Sequence, residues 1–250
     1  MHSVGNIYFA SDFHLGIPNA KESLLREKKI VKWLENSATD ADEIFLVGDI
    51  FDFWFEYKYV VPKGFSRLLG CLAKVSDAGV KLRFFRGNHD MWMFDYFESE
   101  FGATLYSNEY IFEKSGKKFY VHHGDGLGNG DYLFKFLKKF FRSKICQTSF
   151  AFLHPSIGLS IGNYLSSKSR LAQEKYENEN IVVEKEWLVQ YCNEILKNDF
   201  FDYLIFGHRH LALDIKLNEK SRYINLGDWF KFCTYAVFNG NDLELKRFEN

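Results

Sequence analysis

Five short stretches of this chain end in side chains that can bind a cation or move a proton. They read "DFH" (12–14), "GDIFD" (48–52), "GNHD" (87–90), "HGD" (123–125) and "GHRH" (207–210). Together they supply Asp12, His14, Asp49, Asn88, His123, His208 and His210, with His89 and Asp90 beside them. Carboxylates, imidazoles and one amide, with no thiol among them, suit hard or borderline divalent ions: manganese first, with iron, zinc or magnesium as alternatives. In an extended segment residues i and i+2 share a face, so Asp12 with His14, and His208 with His210, are expected to point into one pocket. Singly, each stretch has an ordinary explanation, since Asp caps turns and a lone buried His is more often hydrogen-bonded than ligating. Their joint occurrence, each at the end of an apolar run, outweighs that reading.

The apolar runs must place these groups. "NIYFASDFH" (6–14), "EIFLVGDIFD" (43–52), "VKLRFFRGNHD" (80–90), "KFYVHHGD" (118–125) and "YLIFGHRH" (203–210) read as strands that stop where Gly or Asp permits a turn. Amphipathic helices are predicted over 20–37, with Leu24, Ile30, Val31 and Leu34 on one stripe, and over 183–197, with Trp187, Leu188, Tyr191 and Ile195. "SRYINLGDW", "TYAVFNGN" and "DLELKRFE" read as antiparallel strands closing a sheet. Strands alternating with helices predict an α/β layered domain, and ligands of such sheets collect at the carboxyl ends of strands.

A chain of 250 residues suffices for one large domain, and we expect residues 1–250 to form one. With 32 basic against 33 acidic residues there is no global nucleic-acid footprint. The four cysteines lie far apart, which argues against a disulfide framework or a thiolate zinc site and fits a reducing compartment. No apolar stretch approaches membrane-spanning length and no secretory leader is evident, so a soluble or peripheral protein is expected. The abundance of Phe, 27 residues, is read as a clue to surface or ligand.

The ordered set of motifs resembles the calcineurin-like metallophosphoesterase superfamily, whose signature is D-x-H, GD-x-x-D, GNH[D/E], an H-G pair and GH-x-H. The resemblance implies a layered β-sandwich flanked by helices and a two-metal phosphoester hydrolase. By it, Asp12, His14, Asp49 and His210 hold one metal and Asp49, Asn88, His123 and His208 the other, with Asp49 shared. Two cations about 3.5–4 Å apart can acidify a water for in-line attack on phosphorus. His89 faces the phosphate, where it stabilises charge or protonates the leaving oxygen. His122 competes with His123 for the ligand role; the His-Gly pair selects His123. Asp90 could fix the His89 tautomer, and Asp52 or Asp125 could hold other ligating groups. Scaffold members of the superfamily lose ligands, and this chain has lost none.

One segment breaks the composition. Residues 132–170 contain no acid and seven cations, Lys135, Lys138, Lys139, Arg142, Lys144, Lys168 and Arg170. In "YLFKFLKKFFR", Leu133, Phe136, Leu137, Phe140 and Phe141 form one helical stripe opposite Lys135, Lys138, Lys139 and Arg142. This basic amphipathic helix could lie on an anionic membrane or cover a greasy ligand, or it could pack its Phe face on the domain. The stretch is similar to the helical insertion of the UDP-2,3-diacylglucosamine pyrophosphatases of lipid A biosynthesis. That resemblance implies a helical cap over 131–175, a nucleotide-linked glycolipid substrate, substrate contacts from Asp131, Ser167, Lys168, Arg170 and Lys175, and a peripheral place on the cytoplasmic face of the inner membrane. The best-known members of that enzyme family carry Arg where this chain has His89. Another nucleotide or lipid phosphoester remains the alternative substrate, and the oligomeric state is left open.

Overall fold

The structure is a computed structural model that describes residues 5–128, 132–177 and 186–249, without the side chains of 171–177. Strand β1 (Asn6–Ala10) turns Ile7 and Phe9 to one face and Tyr8 and Ala10 to the other. β2 (Ala41–Leu46) does the same with Phe45 against Ile44 and Leu46, and β3 (Lys81–Phe85) with Phe85 against Leu82 and Phe84. Strands apolar on both faces need cover on both sides. Helices α1 (Ala20–Ser37) and α2 (Ser66–Asp77) cover one face with Ile30, Trp33, Leu34, Leu68 and Leu72. Each such side chain contributes roughly 1.5–3 kcal/mol by leaving water. Asn19 caps α1 by accepting from the Glu22 N–H, while Glu27 reaches from α1 to accept the Arg67 and Leu68 N–H groups that open α2.

The other face meets a second sheet. The first runs β11 (Leu243–Arg247), β10 (Thr234–Phe238), β1, β2, β3, β4 (Thr104–Tyr106), with β1 to β4 parallel and α3 (Tyr96–Phe101) leading into β4. The second runs β5 (Tyr110–Lys114), β6 (Lys117–His122), β7 (Tyr203–Phe206), β9 (Arg222–Leu226), β8 (Ala212–Lys216), with β6, β7 and β9 parallel. Ile7, Phe9, Phe45 and Phe85 pack against Phe119, Val121, Ile205 and Ile224 between the sheets. Helix α7 (Trp187–Ile195) seals the far side with Leu188, Val189 and Cys192 on Tyr120, Leu204 and Tyr223. The result is the expected α/β sandwich flanked by helices.

Two expectations need correction. The three C-terminal runs do not share one sheet: β10 and β11 extend the first, whereas β9 lies inside the second beside β7. There Ile224 and Leu226 face the neighbouring sheet while Tyr223 faces α7. The Phe excess is chiefly core, since fifteen of the 27 are buried.

The acid-free segment forms α4 (Tyr132–Phe141), α5 (Lys144–Ala151) and α6 (Pro155–Glu177). Phe150 of α5 packs with Phe55 and Trp92 of the motif loops. On α4 the apolar residues divide between the two expected roles, some turned outward and some toward the domain. Phe134, Lys138 and Phe141 turn toward the domain, and Leu133, Phe136 and Phe140 are exposed at 70%, 67% and 51%. Lys138 is inward because a buried carboxylate, Asp125, lies 2.6 Å from its ammonium.

Candidate metal centre

Every motif sits where a parallel strand of one sheet or the other ends. Asp12 and His14 follow β1, Asp49 follows β2, Asn88 and His89 follow β3, His123 follows β6, and His208 and His210 follow β7. They converge. Asp12 Oδ1 lies 3.3 Å from His210 Nε2, and His14 Nε2 lies 3.0 Å from His210 Nε2. His123 Nε2 lies 3.2 Å from Asp49 Oδ2 and 3.3 Å from Asn88 Oδ1, while Asp49 Oδ2 is also 3.7 Å from His14 Nε2. Two triples, Asp12–His14–His210 and Asp49–His123–His208, and a third, His14–Asp49–His89, each bring three donor atoms close enough to share an ion.

The residues do not converge by strand alternation. Asp12, His14, Asp49, His208 and His210 all have positive φ, between 41° and 65°, so each is turned out of the strand direction by a left-handed residue. Such backbone costs roughly 1–2 kcal/mol per non-glycine residue and is held only where its surroundings over-determine it. Those surroundings are visible. Arg26 is buried and donates to the carbonyls of Phe13, His14 and Ile17, clamping the first loop. Asp12 accepts from the His208 N–H at 3.0 Å and from the Ser11 hydroxyl. Asp49 Oδ1 accepts from the His89 N–H at 2.9 Å. The motif glycines leave room for this crossing: a Cβ on Gly87 would strike the Asp49 carboxylate, and one on Gly207 would lie 2.5 Å from Asp12 Oδ2.

Asp90 acts differently from the sequence expectation. Its carboxylate accepts from the backbone N–H groups of Gly87 (2.8 Å), Ile50 (2.7 Å) and Asp49 (3.3 Å), so it fastens two motif loops together instead of orienting His89. Burial and the neighbouring Asp49 charge push its carboxyl up to about 7. His122 accepts the Gly124 N–H on Nδ1 and joins neither triple, and burial lowers it to about 3.

A cation pair fits this donor set. Asp49 Oδ2 is buried and receives no hydrogen bond, yet it stands between the His14 and His123 rings. Burial opposes charge on His14 and His123, but Asp12, Asp52 and Asp49 outweigh it and push both imidazoles up to about 10. Burial likewise opposes ionisation of Asp12 and Asp49, and the surrounding histidines hold both carboxyls below the usual carboxylate range. Protons thus supply, in the metal-free chain, the positive charge that the carboxylates demand.

Helices α4 and α6 meet the motif loops through two partly buried ion pairs. Lys138 of α4 meets Asp125, and Arg170 of α6 meets Asp52 at 2.6 Å. Between these helices and the motif loops lies a cavity of about 480 Å³, lined by Phe53, Trp92, Phe134, Leu137, Phe141 and Leu165 and also by Asn88 and His89. Of the residues expected to touch substrate, Lys168 lines this cavity. Ser167 donates to the Asn163 carbonyl of its own helix, and Arg170 is engaged by Asp52. Asp131 and the Lys175 side chain lie outside the described residues. Sequence reasoning missed Arg26, Ser11 and Ser166; for Ser166 a signal existed in the four-residue spacing of Gly158, Gly162, Ser166 and Arg170.

The sequence pattern of calcineurin-like phosphoesterases matches residues 5–212. A UDP-2,3-diacylglucosamine hydrolase of Porphyromonas gingivalis (strain ATCC BAA-308 / W83) is 38% identical, over 98% of this chain and 98% of that protein. Proteins of the same name from Haemophilus influenzae (strain PittGG) and Shewanella piezotolerans are 27% and 25% identical, over 90% and 95% of both partners respectively.

Proposed function

The chain belongs to the calcineurin-like phosphoesterase family and is a metal-dependent hydrolase, and from that premise we propose that it cleaves the pyrophosphate bond of UDP-2,3-diacylglucosamine to UMP and 2,3-diacylglucosamine 1-phosphate. The observation that carries this reading is the apolar cavity between cap and centre. It is large enough for part of an acylated sugar, and it opens on Asn88 and His89. Its walls of Phe53, Trp92, Phe134 and Leu165 offer apolar area suited to acyl chains.

Asp12, His14, Asp49 and His210 would hold one divalent ion, and Asp49, Asn88, His123 and His208 the other; oxygen and imidazole donors without thiol suit manganese. When bound, such a pair supplies an acidified water and positive charge at phosphorus. The chain's own groups do the rest. Asp49 and Asn88 hold the two halves of the site in register. His89 directs a bare, buried Nε2 toward the place of the phosphoryl group, where it can accept or return a proton. Lys168 at the cavity wall provides a cation for phosphate, and the cap excludes water from the acyl-bearing end. The exposed Leu133, Phe136 and Phe140, with Ile145 and Phe152 beyond them, supply an apolar face for an anionic membrane surface at the cytoplasmic side. No helix among the described residues is long and apolar enough to cross a membrane.

The test is release of UMP from UDP-2,3-diacylglucosamine in mixed micelles with manganese, set beside UDP-glucosamine lacking acyl chains. The acylated compound should be turned over far faster. Equal rates on both would refute the acyl-binding role of the cavity.

A further inference from the structure

Helix α6 bears a stripe of small residues on the side that meets the domain. A Cβ on Gly158 would strike the Tyr57 hydroxyl, and one on Gly162 would run into the Phe53 ring. One turn further on, the same face presents Ser166, and one turn beyond that Arg170. Neither points at the cavity alone. Ser166 Oγ donates to Asp52 Oδ2 at 2.7 Å and also lies 2.7 Å from His89 Nδ1. Arg170 Nη1 donates to Asp52 Oδ1 at 2.6 Å.

The direction of these bonds fixes the His89 ring. The single hydroxyl proton of Ser166 goes to the Asp52 carboxylate, so its oxygen faces His89 as an acceptor. The second neighbour of Nδ1 is the Asp52 carbonyl oxygen at 3.1 Å, which can only accept. Nδ1 therefore carries a hydrogen, and Nε2, buried and without a hydrogen-bond partner among the described residues, presents its lone pair to the site. His89 and Ser166 are 5% and 7% exposed, so water does not substitute for these contacts at little cost.

We infer that Ser166 and Arg170 are positioning residues through which the docked cap sets the orientation and proton position of His89, so that the hydrolytic centre is complete only when α6 is seated. Ser166 supplies the acceptor and Arg170 holds the Asp52 carboxylate that takes the Ser166 proton. The inference rests on the proposed reaction for its rate measurement alone.

The experiment uses full-length protein loaded with magnesium or zinc for nuclear magnetic resonance of ¹⁵N-labelled histidine, and with manganese for kinetics. Wild type should show His89 protonated at Nδ1 with an unprotonated Nε2. Ser166→Ala should give a tautomer mixture and lower kcat roughly 10- to 100-fold, a part of the roughly 10²–10⁴-fold that general acid–base catalysis contributes, with KM changed less than threefold. Ser166→Thr, which keeps the hydroxyl, should restore both. Gly162→Val, which lifts α6 from Phe53, should raise hydrogen exchange along α6 and give the same His89 signature with Ser166 intact. A Ser166→Ala variant that raises KM, leaves kcat alone and keeps the Nδ1–H tautomer would overturn the inference. If wild type does not hydrolyse UDP-2,3-diacylglucosamine, the proposed substrate fails, and the tautomer and exchange measurements still decide the coupling.

Discussion

Asp90→Ala should separate the two loops that carry Asp49 and Asn88. The Asp90 side chain is fully buried and accepts short hydrogen bonds from Gly87 and Ile50 N–H and a longer one from Asp49 N–H. Removing it leaves these backbone donors in the interior, at about 1–3 kcal/mol for each that finds no new partner. Counting only the two short bonds and allowing partial relaxation, the loss is about 3–4 kcal/mol, a large share of the roughly 5–15 kcal/mol that a folded chain holds in reserve. Urea unfolding of the chelated protein should show it as a midpoint lower by more than about 1 M, for a slope near 3 kcal/mol/M. Asp90→Asn, which keeps one acceptor oxygen, should fall between. Metal analysis of Asp90→Ala should find fewer than two ions per chain, because the loops bearing Asp49 and Asn88 are no longer tied. An alanine variant within about 1 kcal/mol of wild type and with full metal content would refute the fastening role.

Other outcomes follow from the same geometry. His89→Ala should retain two ions and lose roughly 100-fold or more in kcat, whereas Asp49→Ala should lose metal; the reverse pattern in metal analysis would make His89 a ligand. The metal-free protein should melt lower as pH rises from about 6.5 to about 10. Its His14 and His123 are raised in the folded state, so the stability they contribute is full below the unfolded value near 6.5 and lost through about 10. Manganese should reverse that trend, since it replaces those protons. Replacing Leu133, Phe136 and Phe140 together by Ser should weaken binding to anionic vesicles by about 1,000-fold or more, given roughly 1.5–3 kcal/mol for each large apolar side chain removed from lipid; unchanged sedimentation with vesicles would count against a membrane role for α4.

How much was legible beforehand divides along physical lines. The apolar runs ending in Asp12, Asp49, Asn88, His123 and His208 announced strands, because a residue buried on both faces of a sheet must be apolar whatever its partner. Sheet membership was not announced. β9 and β10 have similar composition and both pack apolar residues on two faces, so no local pattern says which sheet takes which. The face of α4 was left open for a related reason. Periodicity identifies the Phe stripe, but Asp125, a buried carboxylate on another loop, decides which side turns inward by capturing Lys138. Likewise the His89 tautomer depends on Ser166, 77 positions away, which no local pattern connects to the GNHD loop.

The five left-handed residues bear on why so much Phe is needed in the core. At roughly 1–2 kcal/mol each, Asp12, His14, Asp49, His208 and His210 together cost about as much as a typical chain has in net stability. Five residues of that kind hold their conformations only if something else makes the loops too costly to relax. That something is the aromatic packing on either side of each loop: Phe13 against Trp33 and Trp229 beneath the first motif, and Phe51 against Trp54 and Phe97 beneath the second. Relaxing Asp12 to an extended backbone would pull Phe13 out of that cluster, at about 3–5 kcal/mol for a lost aromatic core side chain. The aromatic packing thus carries much of the cost of holding the loops, and any bound ion need not carry it alone.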